Sequence, residues 1–67
     1  MIVEVNGKPH ELQGGARVMA AVELAGGAPA AGVAVAVDGE VVPRSEWETT
    51  ALREGQSVEI VAAVQGG

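Results

Sequence analysis

The chain has 67 residues, 48% of them apolar, with no Cys and a formal net charge of −5. That length makes one domain, and a marginal one, since so short a chain buries only about 60% of its unfolded surface. Lack of Cys excludes disulfides and thiolate-held metals, the acidic balance disfavours nucleic acid, whose phosphates would be repelled, and no apolar run approaches the roughly 20 residues of a membrane span.

The first residues lack the basic start and apolar stretch of a signal peptide, so a cytoplasmic location is expected. Acidic charge otherwise favours solubility or a basic partner surface. Residues 1–5 alternate, with Met1, Val3 and Val5 on one face and Ile2 and Glu4 on the other, which predicts a strand. Asn6-Gly7 then predicts a two-residue hairpin turn with positive φ at both positions. The return strand, 8–12, contains Pro9, which lacks a ladder donor and so belongs on a sheet edge.

Val18, Ala21, Val22 and Ala25 fall at i, i+3, i+4 and i+7, the apolar stripe of a short helix. Gly26-Gly27 stops it, and the uncharged stretch 26–32 reads as a mobile loop. Val33, Val35 and Val37 alternate with Ala34 and Ala36 in a central strand, turned by Asp38-Gly39. Val41-Val42 extends further until Pro43. Ser45 and Glu48 match a capping box that would open one helical turn holding Trp47. After a turn at Glu54-Gly55, residues 57–63 form a last strand, with Val58, Ile60 and Ala62 facing one way and Glu59, Val61 and Ala63 the other.

This order predicts an α+β fold of the β-grasp type, a mixed four- to five-stranded sheet with one main helix on one face. A doubly wound parallel fold needs several crossovers that 67 residues cannot hold. The first and last strands would lie side by side in the sheet's middle. The domain is expected to span 1–63, followed by a flexible tail, 64–67, that contains Gln65, Gly66 and Gly67.

Gly66-Gly67 leaves the α-carboxylate without neighbouring side chains, and Gly is unhindered at any backbone angle. That suits a carboxylate that must itself react, for example at the α-phosphate of ATP; the plainer reading is a frayed terminus. No other constellation carries chemistry. His10, the sole histidine, reads as a half-buried strand residue, because base catalysis needs a positioned partner. Glu46, Glu48 and Glu54, with Arg44 and Arg53 nearby, read as a solvated charged face, since hard-cation sites need several converging oxygens; no metal is expected. Trp47, the only aromatic, reads as a packing plug. Arg44 either pairs within the domain or is offered to a partner. With the larger strand residues turned to the helix, Ile2, Ala34, Ala36, Val61 and Ala63 remain on the open face. Such a patch marks a docking site or simply the partly apolar open face of a small sheet.

The stretch Val35-Ala36-Val37-Asp38-Gly39-Glu40-Val41-Val42-Pro43-Arg44-Ser45-Glu46-Trp47 resembles the V-N-G-x-x-V-P-R-x-x-W block of the ThiS sulfur carrier proteins. The resemblance extends over nearly the whole chain: Asn6 after the opening strand, a Gly-rich approach to Val18, Leu52 followed by Gly55, and the final Gly66-Gly67. Asp38 stands in place of the usual Asn, Gln56 in place of the usual Asp, and Arg17 in place of a capping Thr or Ser, which predicts a weaker helix start. The resemblance implies a protein cosubstrate that performs no catalysis and binds no cofactor. A ThiF-like enzyme would use ATP and Mg to adenylate the Gly67 carboxylate. Sulfur from a donor such as a cysteine desulfurase would make it a thiocarboxylate, and a ThiG-like thiazole synthase would take that sulfur into the thiazole of thiamin. Other readings are a molybdopterin synthase small subunit of the MoaD type, a ubiquitin-like modifier of lysines, and a plain binding domain with an incidental Gly pair.

Overall fold

The computed structural model describes residues 1–25 and 32–62. Expectations for the loop beyond residue 25, for Ala63 and for the 64–67 tail lie outside the described residues. Strands β1 (Ile2–Val5) and β2 (Lys8–Glu11) form the first hairpin. Its turn has φ +51 at Asn6 and +82 at Gly7, the positive pair that a two-residue hairpin loop demands. Helix α1 (Val18–Leu24) follows, then β3 (Val33–Val37) and β4 (Glu40–Val42), joined through Asp38 and Gly39 at φ +50 and +84. The last strand is β5 (Ser57–Ala62).

The sheet has five strands in the order β2-β1-β5-β3-β4. Strand β5 lies in the middle, parallel to β1 and antiparallel to β3. Pro9, opposite Glu4 in β2, is on an edge, where its missing donor leaves no gap in the ladder. One face of the alternating strands supplies Val3, Val5, Val35, Val37 and Val58 to the core, and α1 meets them with Val18, Ala21 and Val22. Leu52 and Trp47 complete that core. Trp47 is only 1% exposed, and its indole Nε1 donates to the Val42 carbonyl at 2.9 Å. A core otherwise built of Val, Ala and Leu gets its one large volume from this ring. The β-grasp expectation is met. Among the described residues no helix is long and apolar enough to cross a membrane.

Two local expectations need correction. No capping box forms at Ser45 and Glu48. A 3₁₀ turn occupies Arg44–Glu46 instead, with no side-chain cap. The Glu46 N–H donates to Pro43 O at 2.8 Å and the Trp47 N–H to Arg44 O at 3.2 Å. Pro43, at φ −61 and ψ 149, makes the bend itself, so the turn opens ahead of Ser45. The second strand ends at Glu11 rather than Leu12, although the Leu12 N–H still donates to Met1 O at 2.8 Å.

Arg17, as expected, gives α1 no side-chain cap. The helix is instead started by its neighbours. The Val18 N–H donates to Thr50 O and the Met19 N–H to Trp47 O, each at 2.9 Å. Orphan donors of a first turn need acceptors of some kind, and the segment after Pro43 supplies backbone carbonyls. The return bond from Leu52 N–H to Ala16 O at 2.8 Å locks the same contact.

Candidate functional site

The strand alternation that fills the core also sets the opposite face. Ala36 lies opposite Glu59 on one side and Val41 on the other, and Ala34 lies opposite Val61. These residues line one depression of about 170 Å³. Val41 is 72% exposed and Val61 61%. The structure thus brings together three of the residues expected on an open docking face, Ala34, Ala36 and Val61. It adds Val41, which the sequence reading had not placed there, and seats Glu59 among them.

Ile2 does not join this cluster. Strand β1 runs parallel to β5 with Glu4 level with Ser57, and the Ile2 carbonyl accepts from the Gly55 N–H at 2.8 Å. From the level of Gly55 to Val61 the strand advances on the order of 20 Å. Ile2, 42% exposed, is therefore at the far end of the face, beyond Glu4 and Ser57. Simple in/out alternation told which face Ile2 occupies and nothing of its height; the parallel register sets that.

Arg44 also lies apart. Its guanidinium carbon is 5.9 Å from the centroid of the Trp47 ring, a cation–π distance on the core plug. His10 is half-buried opposite Val3. Glu46 and Glu48 are exposed, whereas Glu54 accepts from the Ile2 N–H through Oε1 at 3.0 Å. No group of three or more His, Cys, Asp or Glu that could hold a metal occurs among the described residues. Ala63, Gln65, Gly66 and Gly67 lie outside the described residues.

The turn residues Asn6 and Asp38 do more than turn the chain. Strand β1 pairs with β5 only at Glu4↔Ser57 and Val5↔Val58 before it bends away. Beyond that point the Asn6 N–H donates to Val58 O at 2.9 Å, and Asn6 Oδ1 accepts from the Ile60 N–H at 2.8 Å. On the other side, where β3 ends, the Asp38 N–H donates to Ser57 O at 2.8 Å and Asp38 Oδ1 accepts from the Ser57 N–H at 2.9 Å. Each side chain replaces the ladder acceptor that its own strand no longer provides. The sequence signal is an Asx before Gly, which by itself implies turn chemistry alone.

Asp38 Oδ2 also accepts from Gln56 Nε2 at 3.3 Å, and Gln56 Oε1 accepts from the Arg53 N–H at 2.7 Å. Two departures that looked separate in the sequence are thus partners. An acceptor at 38 faces a donor at 56.

The sequence model of the ThiS family matches residues 3–67. The fold is similar to the crystal structure of the thiamine biosynthesis protein ThiS from Geobacter metallireducens, with a TM-score of 0.78 and 32% identity over the whole of both chains. It is also similar to the solution structure of a thiamine biosynthesis protein from that organism, with a TM-score of 0.74 and 32% identity, covering all of this chain and 88% of that one. No curated protein matches. With a family match over almost the full length and a shared fold at that identity, the chain belongs to the ThiS family.

Proposed function

We propose that this chain is a sulfur carrier of thiamin thiazole formation, acting in the cytoplasm as a cosubstrate of other enzymes. The observation that carries this reading is a family match that runs through Gly67, on a chain without Cys. With no thiol available, the α-carboxylate is the group that can be turned into a sulfur donor. An activating enzyme of the ThiF type, with ATP and Mg, joins the Gly67 carboxylate to the α-phosphorus, and pyrophosphate leaves. The persulfide that a desulfurase makes from cysteine then displaces AMP to give an acyl disulfide. A thiol cleaves that disulfide by exchange and is itself left in a disulfide, and the thiocarboxylate so released is consumed by a ThiG-type synthase. Glycine at the reacting position puts no side chain in the path of either attack. Incubation with such an activating enzyme, ATP and a sulfur donor should raise the mass of the intact protein by the difference between one sulfur and one oxygen. A protein that stays at its original mass would sink the reading.

The docking face fits the same role. Ala34, Ala36, Val41 and Val61 surround Glu59 on the strand that leads to the C-terminus, so contacts there aim the chain end into a partner. Small apolar residues allow close approach, and the acidic balance steers a basic surface. One face serving both enzymes implies that they compete, so handover requires release. Ala34→Glu tests this best. Glutamate at Ala36 would sit opposite Glu59, a like-charged pair worth up to about 1 kcal/mol, whereas Ala34 is opposite Val61. Ala34→Glu should weaken binding to both enzymes about tenfold, the effect of losing about 1.4 kcal/mol, with an unchanged melting profile. Normal titration curves with both would place docking elsewhere, near Arg44 and the Arg44–Glu46 turn.

A further inference from the structure

We infer that Asn6 is a positioning residue for the reactive chain end, a role that rests on the carrier reading above. Strand β5 is the last described element, and the C-terminal residues continue from it. Its hold on the sheet is uneven. On the β3 side the pairing continues to Val33↔Ala62, but on the β1 side it stops at Val58. The Ile60 N–H points toward β1 past the end of that strand, and the Asn6 carboxamide oxygen meets it at 2.8 Å. This is the last tie on that side of β5 among the described residues.

Asn6 reaches it because its backbone is left-handed, at φ +51, where Asn is tolerated far better than branched residues. The same residue fixes Val58 through its N–H, so it grips β5 at two successive positions on one edge. Losing the side-chain acceptor would leave the Ile60 donor without a protein partner and free that edge to splay. The reacting carboxylate lies seven residues beyond Ile60 in sequence, so the direction in which β5 leaves the sheet would set where the tail is offered to a docked partner. A displacement of about 1 Å at a reacting group can cost on the order of a hundredfold in rate. Asp38 provides an internal control. It makes the equivalent side-chain bond, to Ser57 N–H at 2.9 Å, from an equally left-handed backbone at φ +50, but at the opposite end of β5. Asp38 also holds Gln56, so a purely stabilising role would make its loss at least as costly as that of Asn6. A positioning role would not.

The matched pair Asn6→Gly and Asp38→Gly keeps the positive φ and removes only the side chain. Amide exchange of full-length protein comes first: in Asn6→Gly, Ile60 should exchange at least about tenfold faster while Val35 stays protected. Adenylation by a ThiF-type enzyme is then followed by pyrophosphate release. For Asn6→Gly, kcat should fall about tenfold with KM for the carrier within about twofold, because docking is intact and alignment is not. Asp38→Gly should leave kcat within about twofold, and Asn6→Asp, which keeps the acceptor oxygen, should restore the wild-type rate. Equal kcat losses in both glycine variants, or an unchanged kcat in Asn6→Gly, would overturn the inference. If the wild-type chain is not adenylated at all, the carrier reading falls, and the tie to Ile60 is still judged by exchange.

Discussion

Deleting Gly67 should abolish sulfur loading and leave the fold as it was. The deletion keeps a terminal carboxylate, now on Gly66, and keeps the net charge, so chemistry and electrostatics are little altered. What changes is reach. One residue of extended chain spans about 3.3–3.6 Å, and an acyl transfer needs its reacting atoms within about 3–3.5 Å of each other. A carboxylate drawn back by one residue therefore misses the α-phosphate of ATP by about the whole attack distance. With docking on the sheet face as proposed, contact at the domain's own surface would keep it from following. Intact-mass measurement after incubation with an activating enzyme, ATP and a sulfur donor should show full conversion for the wild-type chain and none for the deletion. His10→Ala should convert normally, as a half-buried side chain opposite Val3 has no part in the chemistry. Loading that survives the deletion would mean that another group carries the sulfur. Gly67→Val separates reach from crowding: it restores length, but a branched side chain beside the carbonyl should slow loading without removing it.

The parts of this fold that were legible in the sequence are those decided by local chemistry. Asn6-Gly7 and Asp38-Gly39 specify hairpins through residues that tolerate positive φ, and alternating Val places the core face of β1 and β3, as Val58 and Ile60 do for β5. The parts that were not legible depend on what lies alongside. Ile2 was grouped with Ala34 and Val61 by face, but the parallel register with β5 separates them along the strand. Val41 reads in the sequence only as part of an extended piece, and pairing with Ala36 is what places it across that residue from Glu59. The Ser45–Glu48 capping pattern is correct as a motif and is overridden by Pro43, which fixes the bend first. Arg17 looked like a defect, and the helix start is rescued by carbonyls of Trp47 and Thr50 some thirty residues away. At Ser45 a close sequence neighbour, and elsewhere a partner from another strand or segment, outweighed what the local pattern favours, as weak local priors allow.

Trp47→Ala should unfold the protein, and the size of the effect follows from how little else fills the core. Its other buried members are Val, Ala and Leu, so the indole is the largest side chain fully inside. Truncating a buried Trp costs about 3–5 kcal/mol. A chain of this length has only about 3–10 kcal/mol in total at ~0.05–0.15 kcal/mol per residue. Three further connections go with the ring: the Nε1–H bond to Val42 O at 2.9 Å, the Arg44 guanidinium 5.9 Å from its centroid, and the local packing that holds the Trp47 carbonyl against the Met19 N–H. The last of these ties Trp47 to the start of α1, so the helix should be lost with the ring rather than after it. Denaturant titration followed by far-UV circular dichroism should show the Ala variant largely unfolded without denaturant. Trp47→Phe should remain folded, losing about 1 kcal/mol for the Nε1–H bond together with some packing. Arg44→Ala should lose about 0.5–1 kcal/mol with its contact to the ring. An Ala variant with a wild-type midpoint would show that the ring is not the plug, and the helix would then have to be anchored by Val18 and Val22 alone.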